Sequence, residues 1–121
     1  MLAWMSDARE VPKRVIAEAM RDPFIAGFFG LPGRLEPIAH DGEVVGFYRP
    51  HVGIYGRQIG PIFVMPTHRK HGLALAVYNS IDGQLYARID EENVASVRLH
   101  ERAMFTRWKR RGRRAWYWKR D

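Results

Sequence analysis

Across residues 57–81 the apolar period of the chain changes, and that change limits the folds open to it. "RQIGPIFVM" alternates as a strand does until Pro66, which has no N–H to give a ladder. From Gly72 to about Ile81 the apolar residues Leu73, Ala76, Val77 and Ile81 recur at helical spacing. A strand that runs through a short turn into a helix needs a sheet on which that helix can pack. The passage therefore points to an α/β domain.

The remaining segments fit that frame. "PKRVIAEAMR" (12–21) predicts an amphipathic helix with Pro12 in its first turn and Val15, Ile16, Ala19 and Met20 on one face. "DPFIAGFF" predicts a second short helix, with Phe24, Ile25, Phe28 and Phe29 apolar and "GLPG" ending it. "MLAWM" reads as a short strand. "LEPIAH", Asp41-Gly42 and "EVVGFYRP" form a β-hairpin pattern, and "HVGIYG" reads as a link to the third strand. "GQLYARID" is a fourth strand, "ENVASVRLHERA" a helix that Asn93 is suited to cap, and "MFTRWKR" with "RAWYWKR" a closing hairpin.

The expected architecture is a single domain over residues 1–121: one mixed, largely antiparallel sheet with helices on both faces. Four Trp, five Tyr and six Phe supply bulk for one core. No apolar run reaches membrane-spanning length, and "MLAWMSDARE" lacks the pattern of a secretion signal, so a cytoplasmic protein is expected. The absence of cysteine excludes disulfides, thiolate metal sites and a cysteine nucleophile; no metal is expected. A net charge of +7 marks a basic protein that attracts polyanions.

The turn between strand and helix, "VMPTHRKHGLAL", is where such a partner would bind. The first N–H groups of a helix have no internal acceptor, and with the helix dipole they make an anion site where the backbone is approachable. Gly72 leaves room, and Arg69, Lys70 and His71 add charge. The plainer alternative is a solvated basic turn in which Gly72 serves an unusual φ.

"V-M-P-T-H-R-K-H-G-L-A" fits V-x-P-x-x-R-x-x-G-x-A, whose R/Q-x-x-G-x-G/A element resembles the acyl-CoA pyrophosphate loop of the GNAT superfamily of N-acyltransferases. About twenty residues on, "NVASVRLHERAMF" resembles that family's second motif, N-x-x-A/S-x-x-L-Y-x-x-x-G-F. The resemblance implies a compact GNAT-like fold with splayed central strands and an acetyl-CoA-dependent N-acetyltransferase. Main-chain groups of Phe63, Val64 and Met65 would pair with the pantetheine arm. The N–H groups of Lys70, His71, Gly72, Leu73 and Ala74 would receive the pyrophosphate, with the Arg69 side chain nearby, and Asn93 and Ser96 would contact the arm. Asn93 reads equally as a plain cap. Two departures stand out: His100 replaces the usual tyrosine near the thioester sulfur, and Met104 replaces a glycine.

Acyl transfer to an amine needs a base, because the acceptor is protonated at neutral pH, and a donor to the developing oxyanion. The donor expected is the N–H near Val64 or Met65. The base candidates are Asp90, His51 and Tyr48, with Asp90 preferred, and His100 is the candidate acid. The amine acceptor is not identified. The basic, aromatic C-terminal hairpin points to an acidic one, whether protein, nucleic acid or nucleotide-linked amine. Dimerisation is open. The alternative function is a GNAT-fold binding protein of weak or no activity that uses this hairpin on nucleic acid or an acidic partner.

Overall fold

The computed structural model describes residues 11–28 and 34–121. The strand expected at "MLAWM", Phe29 and the "GLPG" stop lie outside the described residues. The chain order begins with α1 (Lys13–Ala19), a 3-10 turn (Ala26–Phe28) and β1 (Glu36–His40). It continues through β2 (Glu43–Tyr48), β3 (His51–Val52), β4 (Arg57–Gln58), β5 (Ile62–Val64) and a second 3-10 turn (Pro66–His68). It closes with α2 (Leu73–Ser80), β6 (Leu85–Asp90), α3 (Val94–Arg102), β7 (Thr106–Arg111) and β8 (Ala115–Arg120).

The strands form three antiparallel ladders, β1-β2-β5, β3-β4 and β6-β8-β7. Among the described residues no ladder joins β5 to β6, so the expected splay of the central strands divides the hydrogen bonding of the sheet. Packing continues where the ladders stop. Tyr48 and Val64 of the first ladder share one core with Leu85, Ala87, Ile89 and Trp118 of the last, covered by Val77 and Tyr78 of α2. On the opposite face Phe47 and Phe63 pack against Val15 and Ala19 of α1. The alternation of β2 and β5 thus puts helices on both faces of the sheet.

Local chemistry explains most elements. Asp41 and Gly42 both take positive φ, 52° and 80°, the two-residue turn that a tight hairpin requires. Pro12 precedes α1 with φ −60°, and the Asn93 side chain accepts from Ser96 N–H to cap α3. Gly46 lets β2 lie close on β5: a Cβ there would stand 2.1 Å from the Phe63 carbonyl oxygen. Arg120, at the end of β8, reaches back to α2, donating to the carbonyls of Tyr78 (2.8 Å), Ile81 (2.5 Å) and Gly83 (2.9 Å). It satisfies carbonyls that α2 itself leaves open.

Three expectations change. "DPFIAGFF" makes turns and one 3-10 element instead of a helix, with Asp22 Oδ1 accepting from Phe24 N–H at 2.8 Å. An aspartate that satisfies the backbone in this way favours a turn over a helix. "HVGIYGRQ" is more than a link, because His51–Val52 pairs with Arg57–Gln58, and the third strand is divided between β4 and β5. Met20, expected on the apolar face of α1, is exposed because the helix ends at Ala19.

Candidate functional site

The basic turn leaves β5 and enters α2. Lys70 and Gly72 both adopt left-handed backbone, φ 73° and 69°, and Gly72 is the residue before the helix. Alternating backbone of this kind turns successive N–H groups to one side, forming a concavity whose chemistry suits an anion. Among the described residues no backbone carbonyl accepts from the N–H groups of Lys70, His71, Gly72, Leu73 or Ala74; helical bonding begins with Ala76 N–H to Gly72 O, 2.9 Å. A Cβ on Gly72 would meet nothing within 4 Å. Inside this chain the glycine is required by its φ, and the space beside it is open to a ligand.

The neighbouring strand narrows the main-chain assignment. Met65 N–H donates to Val45 O at 2.7 Å, so it is consumed by β2. In an antiparallel ladder the pairing alternates, and the register Phe63↔Phe47 and Val64↔Gly46 therefore turns Phe63 toward β2 as well. Val64 is left as the residue of the three whose N–H and C=O face the outer edge. Its carbonyl accepts from Arg69 Nε at 2.9 Å, and the Arg69 guanidinium lies 5.6 Å above the Phe63 ring. The expected roles of Phe63, Met65 and the Arg69 head group are corrected accordingly: two backbones belong to the sheet, and the arginine holds the edge of β5.

The second motif divides in two. Asp90, Asn93 and Ser96 line one cleft of about 350 Å³, together with Phe24, Phe28 and Arg88. Asp90 Oδ1 accepts from Glu92 N–H at 2.9 Å, which fixes its carboxylate at the end of β6. His100 lies elsewhere. Leu85, Ala87 and Ile89 of β6 face the core shared with α2 and α3, and Asp90, by alternation, faces the other side.

His100 is 4% exposed, and burial pushes it down to about 4, partly offset by its bond to Ser96 O. Its Nδ1 donates to that carbonyl at 2.7 Å, which leaves Nε2 to accept from the Tyr78 hydroxyl at 2.6 Å. About one molecule in a thousand would carry a protonated imidazole at pH 7. The expectation of a freely titrating acid at position 100 is therefore corrected: the ring is neutral, of fixed tautomer, and packed on Tyr78 and Phe105. Of the other base candidates, Tyr48 is pushed up to about 12 by burial and then by Glu36. His51 is turned to its own strand, its Nδ1 donating to Arg49 O at 2.9 Å.

Met104 resolves plainly. It takes φ 70° just past α3, where Phe105 N–H bonds His100 O (2.9 Å) and Met104 N–H bonds Glu101 O (3.1 Å). This is the Schellman termination that normally uses glycine. The Met104 side chain is 78% exposed, so it does not narrow the site.

Two residues escaped the sequence reading. His40, at the end of β1, packs its ring on His71 (5.1 Å between centroids) and His68 (5.8 Å), steadying the basic turn from the far side of the hairpin. Tyr78 supplies the hydroxyl that meets His100. A tyrosine one residue after Val77 on an apolar helix face carried the only hint of it. Among the described residues no three His, Asp or Glu side chains are arranged to hold a metal ion, and no helix is long and apolar enough to cross a membrane.

No protein-family model and no curated protein matches the sequence. Solved structures do match it in fold. A GNAT-family acetyltransferase of Bacillus cereus aligns at TM-score 0.68 with 13% identity, over 92% of this chain and 87% of that one. A Bacillus subtilis acetyltransferase in complex with CoA aligns at 0.66 with 12% identity, over 94% and 95%. An acetyltransferase of Thermus thermophilus aligns at 0.61 with 20% identity, over 80% and 70%. The chain has the GNAT fold.

Proposed function

We propose that this chain is an acyl-CoA-dependent N-acyltransferase, acetyl-CoA being the default donor, in which an amine attacks directly within a ternary complex. The observation that carries the reading is the row of N–H groups from Lys70 to Ala74, unclaimed by backbone acceptors among the described residues and bordered by open space at Gly72. These groups fit a pyrophosphate, because they present several donors and the positive end of α2 to one anion. The outward edge of Val64 fits the amide-bearing arm, once Arg69 releases its carbonyl. When bound, acyl-CoA supplies a thioester carbonyl as the electrophile.

The residues of the chain then have distinct tasks. The Val64 N–H donates to the carbonyl oxygen as charge develops there. Asp90, in the cleft with Asn93 and Ser96, attracts the ammonium form of the acceptor and receives its proton. A carboxylate is a weak base toward an amine, so turnover rises with pH as more acceptor is already neutral. No side chain need protonate the leaving thiolate: a thiol of ordinary pKa near 8.5 leaves well enough and takes its proton from water. His100 positions Ser96 and α3 against Tyr78.

Thermal stabilisation by acetyl-CoA and thiol release with a panel of amines test this reading. The wild-type protein should be stabilised and should release thiol with at least one amine class. Gly72→Val should lose both while keeping its circular dichroism; acetyl-CoA binding of unchanged affinity in that variant would overturn the assignment of the turn. One observation favours the alternative of a GNAT-fold binding protein with weak chemistry: the residue at the usual acid position is a neutral, buried histidine. Stabilisation by acetyl-CoA without turnover on any amine would decide for it.

A further inference from the structure

We propose that the acceptor is a free α-amino acid with an apolar side chain, held as a zwitterion between Arg88 and Asp90; the inference rests on the acyltransferase reading above. The two residues stand on one face of β6, two positions and so about 6–7 Å apart along the strand. Opposite charges so placed would ordinarily pair, yet among the described residues they form no ion pair with each other. Each is turned to a different neighbour. The Arg88 guanidinium lies 5.6 Å from the centre of the Phe28 ring. Asp90 spends Oδ1 on the Glu92 N–H at 2.9 Å, which leaves Oδ2 for a ligand. Both residues line the cleft of about 350 Å³, and Arg88 is exposed there. Arg49, at the end of β2, approaches the same Phe28 ring at 5.8 Å without lining the cleft. The Phe28 end of the cleft is therefore cationic and the Asp90 end anionic.

This arrangement selects the ligand by charge and by size. A guanidinium presents a planar fork of N–H donors that matches a carboxylate, and the open oxygen of Asp90 accepts from an ammonium. A zwitterion satisfies both groups at once and enters with no net charge. A plain amine would place its cation beside an uncompensated Arg88. The cleft is at the small end of the range for ligand sites, about 300–1,000 Å³, which suits a free amino acid better than a protein segment. Pro23, Phe24, Phe28 and Ile89 line the rest of it and give an apolar side chain its wall. In the transfer the amine nitrogen bonds to the thioester carbon as the C–S bond breaks. One ammonium proton passes to Asp90 and on to water before attack, and a second leaves the nitrogen as the amide forms. The thiolate takes one from water, so the products are an N-acyl amino acid, the CoA thiol and a proton. The product amide carries no positive charge, so Asp90 loses its partner and release is favoured.

Isothermal titration of L-leucine and L-phenylalanine into the full chain with CoA present tests this. Isoamylamine and phenethylamine, which lack only the carboxylate, serve as their partners, and thiol release from acetyl-CoA is followed with the same four compounds. Each amino acid should bind about 10–100-fold more tightly than its amine, the margin of a hydrogen-bonded charge pair, and KM should show the same order. Arg88→Gln should erase that margin while keeping the melting temperature of the parent and its stabilisation by acetyl-CoA. Asp90→Asn should weaken amino acid and amine alike. No binding of either amino acid at millimolar concentration, equal affinity for the amines, an undiminished margin in Arg88→Gln, or tighter binding of O-phosphoethanolamine would overturn the proposal. Binding of the amino acids that depends on Arg88, with no thiol release, would uphold this site and overturn the acyltransferase reading; thiol release with the amines alone would do the reverse.

Discussion

β5 and β7 are both edge strands, and they are kept from unwanted pairing by opposite means. β5 is three residues long and largely buried, with the Arg69 side chain on its outward carbonyl. β7 is six residues long, exposed along nearly its whole length, and guarded by its charges. Short length and a blocking side chain suit the edge that we propose receives the amide-bearing arm of acyl-CoA, since a single bond can be exchanged. Dense charge suits an edge whose backbone is to stay unpaired.

The largest test of that contrast is proline on the inner edge. Val64→Pro removes an N–H that faces away from β2, so the ladder should persist while acyl transfer falls by about 10²–10³. Lys109→Gln on β7 should leave turnover within about twofold. Equal losses in both variants, or full activity in Val64→Pro, would break the comparison. The next test concerns the seam between the two halves, where Tyr78 meets His100. A histidine near 4 when folded and about 6.5 when unfolded binds its proton more readily in the unfolded chain. Stability therefore falls as pH is lowered from about 6.5 toward 4, by on the order of 3 kcal/mol, and is fully present above that window. Urea melts across this range should show the slope, and His100→Gln should flatten it.

A smaller loss is expected behind β5. Gly46→Ala drives a methyl group into the Phe63 carbonyl and should cost about 1–3 kcal/mol in chemical denaturation. The smallest change is a gain. Met104→Gly relieves a left-handed methionine whose side chain lies in solvent, and should stabilise by about 1 kcal/mol. A Met104→Gly variant at wild-type stability would mean that the exposed side chain makes contacts worth as much as the strain.

How far these features were legible follows the range of the forces behind them. The Asp41-Gly42 turn, the Asn93 cap and the Gly72 approach are each decided within a few residues, and the sequence displays them. The free row of N–H groups was legible for the same reason. The roles of Phe63 and Met65 were not, because which backbone groups face outward depends on register with a strand some twenty residues away. His100 shows the same limit in electrostatics. Its place on a helix was readable, whereas its burial under Tyr78 and Phe105, which sets its charge, belongs to the assembled core. His40 was invisible as a neighbour of His71, because only the hairpin brings them together. The turns at Phe24 were misread because apolar spacing alone does not weigh an aspartate that ties up the backbone.

Arg120 gives the molecule a schedule. The helix that presents the anion-binding turn ends at Ser80, yet carbonyls at its far end are satisfied by a residue some forty positions later. At about 5–20 residues per second, synthesis delivers that residue roughly 2–8 seconds after the helix itself. The far end of α2 therefore has its carbonyls satisfied only once the last hairpin has packed against it.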